Sequence, residues 1–144
     1  MSHSDEVTVT LQGAPTPYRH RSAPGGHRYL PIKQRDQLAM LRLVARQQMD
    51  GREPFSAPVG LELRATIAIP KSWSKKKQRA ALIGEILPAT RPDLSNLLKL
   101  GEDALTGVVF ADDSLICLHR TQKEYGTTPK IVLTVRTLNP GDNR

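Results

Sequence analysis

Every second residue from Val59 to Ile69 is apolar: Val59, Leu61, Leu63, Ala65, Ile67 and Ile69, with Glu62, Arg64 and Thr66 among the residues between them. A period of two puts one set on each face of an extended strand, so this segment reads as a central or near-edge strand with one buried face. Pro70 has no N–H to donate and ends its ladder. Val7 to Gln12 alternates apolar and hydroxyl residues and reads as a second, half-buried strand, while Ile131 to Leu138 alternates as a last one. Between them, Val108-Val109-Phe110 reads as a short buried strand and Ser114 to Lys123 as a strand that is apolar at first.

Helical spacing appears in three places. From Ile32 to Met49, Leu38, Leu41, Ala45 and Met49 form an apolar stripe widened by Met40, Leu43 and Val44. Ser74 is placed to cap a short helix running through Lys76 and Ala81, with Gly84 weakening its far end. Asp93 to Leu105 forms a strong helix stopped by Thr106-Gly107. The order is roughly βαβ(α)αβββ with no repeat and no linker in 144 residues. The expected fold class is therefore α+β: one small domain over residues 7–138, a mixed β-sheet packed with helices, between a flexible start at 1–6 and a flexible tail at 139–144.

Composition removes several function classes. No run approaches the roughly 18 apolar residues of a membrane helix, and the opening Met1-Ser2-His3-Ser4-Asp5-Glu6 lacks the basic flank and apolar core of a signal peptide, so a cytoplasmic protein with no membrane partner is expected. The single Cys117 cannot form an internal disulfide, and the four scattered histidines give no zinc spacing. With 21 basic against 14 acidic residues, the chain has a formal charge of +7. That balance favours a polyanionic partner, nucleic acid foremost.

The positive charge is clustered. Arg19, Arg21, Arg28, Lys33 and Arg35 fall in a Pro- and Gly-rich stretch without a carboxylate, and Lys71, Lys75, Lys76, Lys77, Arg79 and Arg91 accompany the single Glu85. Each cluster reads either as a solvated surface or as a phosphate-contacting one. Five acids then fall within about twenty residues of one another: Asp93, Glu102, Asp103, Asp112 and Asp113. On the helix from Asp93, Leu94, Leu97, Leu98, Gly101, Ala104 and Leu105 fall on one side and Ser95, Asn96, Lys99, Glu102 and Asp103 on the other. Asp93 fits a helix cap and Asp112-Asp113 fits a turn. If the chain instead returns Asp112 or Asp113 toward Asp93, a carboxylate pocket forms beside Lys99. Magnesium binds through one or two carboxylates plus waters and phosphate oxygens, so such a pocket on a basic surface suits phosphodiester hydrolysis.

The run Arg91-Pro92-Asp93-Leu94-Ser95-Asn96-Leu97-Leu98-Lys99, then Glu102-Asp103-Ala104-Leu105-Thr106-Gly107 and Phe110-Ala111-Asp112-Asp113-Ser114-Leu115-Ile116, resembles the signature of the RusA family of Holliday junction resolvases. The resemblance implies a small α+β homodimer that binds four-way junction DNA and makes paired nicks in recombination and repair, using Mg2+ or Mn2+. It implies catalytic roles for Asp93, Lys99 and Asp113, and aligns Asn96 with the motif asparagine, here assigned to DNA contact. Metal ligands are expected among Asp93, Asp113, Asp112, Glu102 and Asp103. DNA contacts are expected from Arg19, Arg21, Arg28, Lys33, Lys75, Lys76, Lys77 and Arg79.

Ser95 departs from the pattern, standing where the family's second motif aspartate is expected. A neutral hydroxyl is a poorer ligand for a hard cation than a carboxylate. Three outcomes follow: Glu102 or Asp103 compensates across about 10 Å of helix, Asp93 and Asp113 suffice with water, or cleavage is lost while junction binding is kept. A junction-binding protein without cleavage, and a basic accessory protein with no nucleic-acid role, are the competing functions.

Overall fold

The computed structural model describes residues 5–14, 21–22, 28–29 and 32–139, with side chains described throughout except at 21–22, 28–29 and 32–34. Its centre is a four-stranded mixed sheet in the order β1-β6-β4-β5, formed by β1 (Glu6–Gln12), β4 (Val59–Ala68), β5 (Ile116–Gly126) and β6 (Lys130–Thr137). The alternating Val59 segment supplies the inner strand β4, antiparallel to β6 and parallel to β5. A parallel pair needs a long crossover. Here the crossover is filled by α2 (Lys75–Leu82) and α3 (Leu94–Leu105). A second, two-stranded sheet pairs β2 (Arg21–Ser22) with β3 (Arg28–Tyr29), and α1 (Ile32–Met49) follows it.

One face of the large sheet is the core. Leu61, Leu63 and Ala65 of β4, Ile131, Leu133 and Val135 of β6, and Val7 and Val9 of β1 are buried against Leu41, Ala45 and Met49 of α1 and Leu97, Leu100, Ala104 and Leu105 of α3. The opposite face carries Glu62, Arg64, Thr8 and Thr134, as the period-two reading requires.

Three expectations change. Val108-Val109-Phe110 is not a strand: after α3 the chain turns at Gly107 (φ 82°), and Phe110 makes only isolated bridges to Phe55 and Thr106. Both phenylalanines are buried, so the apolar run is satisfied by packing rather than by a ladder. The strand expected over Ser114 to Lys123 begins later and runs further, because Asp113–Leu115 winds into one 3-10 turn ahead of β5. Met40 and Leu43 do not widen the α1 stripe; both are about half exposed, at 47%. At about 100° per residue they project away from the line of Leu41, Ala45 and Met49.

The large sheet receives α3 at its one internal glycine. A Cβ built on Gly101 would lie 2.9 Å from Leu133 Cδ2 and 3.6 Å from Leu63 Cδ1, and both leucines are fully buried. The missing side chain lets the helix sit directly on the two inner strands. Gly101→Val should therefore destabilise the domain by about 2 kcal/mol or more, through overpacking against side chains with nowhere to move. Urea denaturation of the variant beside the native chain measures this.

Candidate nuclease site

Asp93 occupies the N-cap of α3 with extended backbone (φ −73°, ψ 140°), yet its side chain makes no capping hydrogen bond. The exposed carboxylate is thus left to solvent at the positive end of a helix dipole, a place that favours an anionic group. The loop before it is held by β5. Lys123 Nζ donates to the Thr90 and Pro92 carbonyls, the second at 3.0 Å, and the Arg91–Pro92 bond between them is cis. Lys123 is not among the candidate site residues that the sequence gives. Its signal was the strand alternation: Lys123 stands opposite Ala65 and His119 opposite Leu61, both core-facing positions, so two polar side chains of an edge strand share the face covered by the helices.

From Asp93 the polar stripe of α3 runs as the spacing implies. Ser95 and Lys99 are exposed, while Asn96, Glu102 and Asp103 are half-buried. The far end of the helix is tied to α1, where Arg42 Nη2 donates to the Asp103 carbonyl at 2.9 Å. Asp112 and Asp113 divide their roles. Asp112 accepts from the Ser114 N–H at 3.0 Å and caps the 3-10 turn; hydrogen bonding from the Ser114 side chain, and then from its N–H, holds the Asp112 carboxyl below the usual range. The turn reading therefore holds for Asp112. Asp113, exposed and inside the turn, lies close enough to α3 for its charge to act on Glu102.

Burial pushes the Glu102 carboxyl above its ordinary value, and the negative charges of Asp113 and Asp103 push it further, against weaker opposition from His119 and Lys99. An excess of negative charge thus collects on the second half of the helix. Asp93 and Glu102 are nine residues apart, about 13 Å along the axis. The five expected metal carboxylates consequently do not form one cage, and among the described residues no three His, Cys, Asp or Glu side chains stand close enough to hold a metal ion. What the structure presents is an exposed Asp93 at the start of one helix, and half-buried Glu102 and Asp103 with exposed Asp112 and Asp113 toward its other end and the turn beside it. That donor chemistry fits a hard cation that keeps much of its water and takes the remaining ligands from substrate phosphate. It does not fit a closed structural site.

The expected DNA contacts are distributed differently. Lys75, Lys76, Lys77 and Arg79 are exposed on α2, whose start is capped by Ser74 Oγ accepting from the Lys77 N–H at 3.2 Å. Lys77 Nζ lies 3.9 Å from the centre of the Trp73 ring, and Trp73 meets Tyr125 of β5 edge to face at 5.3 Å. Part of the Lys77 charge is thus engaged in holding α2 to the sheet. Arg19 lies outside the described residues; Arg21, Arg28 and Lys33 belong to β2, β3 and α1, with their side chains outside the described set.

The match to a family model is explicit: residues 12–136 match the endodeoxyribonuclease RusA model, and the chain belongs to that family. Nucleases of this family are generally metal-dependent. A protein of Bacillus subtilis (strain 168), uncharacterized protein YqaN, is 31% identical over 87 residues, which are 59% of this chain and 61% of that protein. The match thus spans about three-fifths of the length of that curated relative. No described helix is long and apolar enough to cross a membrane.

The raised Glu102 pKa has a directional consequence. A carboxyl whose folded pKa exceeds its unfolded one contributes stability that is fully present below the unfolded pKa and lost as pH rises through the folded value. In EDTA, native stability should therefore fall on going from below the ordinary glutamate value toward neutrality by more than that of Glu102→Gln. Urea midpoints of both proteins across that window check it, and parallel curves would contradict the burial and charge crowding at this residue.

Proposed function

We propose that the protein is a structure-selective endodeoxyribonuclease that cuts four-way DNA junctions by paired phosphodiester hydrolysis. The observation that carries this reading is the Asp93 carboxylate: it occupies a cap position without capping, ahead of Asn96 and Lys99 in the order the family's motif requires. A helix whose first residue is spent on its own backbone would have no such group to offer.

In this reading Asp93 and Asp113 would hold a divalent ion, magnesium or manganese, with Glu102 and Asp103 further along the same stripe. When bound, such an ion polarises the scissile phosphate and lowers the pKa of an attacking water. Lys99, exposed between Ser95 and Glu102, places a positive charge where the phosphate and its leaving oxygen develop negative charge. Asn96 positions the strand through a hydrogen bond, and the α2 cations hold the flanking phosphates. A homodimer supplies the second cutting centre, since each chain carries one Asp93 to Asp113 set and paired nicks need two. A soluble cytoplasmic setting, with access to DNA in recombination and repair, accords with this role.

Incubation with a labelled four-way junction in EDTA, followed by magnesium or manganese, separates binding from cutting. Asp93→Asn and Asp113→Asn should each reduce cutting at least a hundredfold, while junction binding is kept or tightened, because negative charge near phosphate is removed. Loss of binding with loss of folding would assign these residues to structure instead.

Ser95 favours a second reading, a junction binder with weak cleavage, because its hydroxyl replaces a carboxylate in the motif. Ser95→Asp restores that charge one turn before Lys99 and costs little near a helix start. It should raise the cutting rate several-fold at low magnesium. No gain, together with damage from Glu102→Gln or Asp103→Asn, would show that the acids at the far end of α3 already serve in its place.

A further inference from the structure

The solvent side of α2 is built from two kinds of side chain that do not ordinarily share one exposed face. At about 100° per residue, Lys75, Lys76, Arg79, Leu82 and the C-cap residue Ile83 fall within one third of the helix circumference. Ala81 is buried on the opposite side, and Lys77 lies against Trp73. Leu82 is 52% exposed, Ile83 71% and the neighbouring Leu87 66%, the three largest exposures among the exposed large hydrophobic residues described. The face carries three cations and no carboxylate.

The apolar end is closed by a hydrogen-bonded glycine turn. The Gly84 N–H donates to the Ala81 carbonyl at 3.2 Å and the Glu85 N–H to the Ala80 carbonyl at 2.9 Å, with Gly84 at φ 86°. These two bonds form the Schellman motif, for which glycine is suited because the left-handed conformation costs it nothing. Ile83 N–H donates to the Arg79 carbonyl at 3.1 Å at the same turn. The isoleucine is therefore held out by the helix terminus itself. At the other end, the Trp73 contacts with Lys77 and Tyr125 fix α2 to β5, the strand whose Lys123 holds the loop ahead of Asp93. One strand thus sets the position of both the apolar tip and the catalytic aspartate.

We propose that Leu82 and Ile83 form a wedge that enters DNA at the junction's branch point and packs against unstacked bases, while Lys75, Lys76 and Arg79 hold the phosphates on either side. The proposal rests on the junction-cutting reading above and adds a reason for structure selectivity. Apolar wedges of this kind unstack base steps at an energetic cost, and that cost is lowest where pairing is already interrupted. In continuous duplex the wedge meets closed stacks, whereas at a branch point the bases yield. Charge complementarity favours nucleic acid over a second copy of the chain. Two copies joined through this face would bring six cations together with no acidic partner on the face itself.

The test uses a four-way junction with 2-aminopurine, a base that brightens on unstacking, at the branch-point pairs, titrated in EDTA with the full chain and with Ile83→Ser and Leu82→Ser. Both positions are solvent-exposed, so circular dichroism and binding to linear duplex should match the native protein. Native protein should brighten the probe at least twofold, and either serine variant should lose most of that rise and bind the junction several-fold more weakly. A native rise that the variants retain, or a bound junction that does not brighten, overturns the wedge and leaves the nuclease reading standing. If instead the native protein binds no junction, the nuclease reading fails and the wedge with it. A serine variant that changes the oligomeric state seen by light scattering while brightening the probe normally assigns the patch to self-association and also overturns the proposal.

Discussion

The bare contact of Gly101 with Leu63 and Leu133 governs the orientation of everything on α3. Once the helix is seated there, Leu97, Leu100, Ala104 and Leu105 are committed to the core, and Ser95, Lys99 and Glu102 turn outward as one stripe. Lys123 secures the loop before the helix and Arg42 secures its last turn, so the stripe is anchored at both ends by hydrogen bonds to backbone carbonyls. A stripe held in this way presents its polar groups in a fixed order, as positioning a phosphodiester requires.

Electrostatics along that stripe are uneven. Cations gather on α2, while carboxylates gather on α3 and the following 3-10 turn, where Glu102 is raised by burial and by Asp113. A polyanion is attracted by the chain's +7 charge as a whole and repelled locally by the acids. That local repulsion is what the proposed divalent cation would relieve, so in that reading the same acids that weaken a simple DNA clamp would serve the nuclease. Asp112 stands apart, since one of its oxygens accepts from the Ser114 N–H.

The basic helix α2 shows how one short element carries two roles. Its inner side uses Ala81, and the Trp73 stack with Lys77 and Tyr125, to dock on the sheet edge. Its outer side is left with cations and two aliphatic residues whose exposure costs hydration free energy in the unbound protein.

Period-two and helical spacing made β1, β4, β6, α1 and the α3 stripe legible from the chain alone, because each depends on local alternation between water and core. The order of Asp93, Asn96, Lys99 and the Asp112-Asp113 pair made the family legible as well, since motif spacing needs no coordinates. Spacing had no means of deciding which carboxylates are free. Asp93 and Asp112 were equally good caps by residue type, and only the backbone geometry left one unbonded and engaged the other. Val108-Val109-Phe110 looked like a strand because burial and pairing produce the same apolar run, and the packing of Phe110 beside Phe55 distinguishes them. Lys123 and His119 were hidden for a related reason: their partners Thr90, Pro92 and Glu102 lie seventeen to thirty-three residues away in sequence, and only the parallel pairing of β4 with β5 carries them to the helix. Local periodicity thus determined the elements and the motif; the backbone at each cap decided which carboxylate is hydrogen-bonded, and contacts across the crossover decided what anchors the loop ahead of the helix.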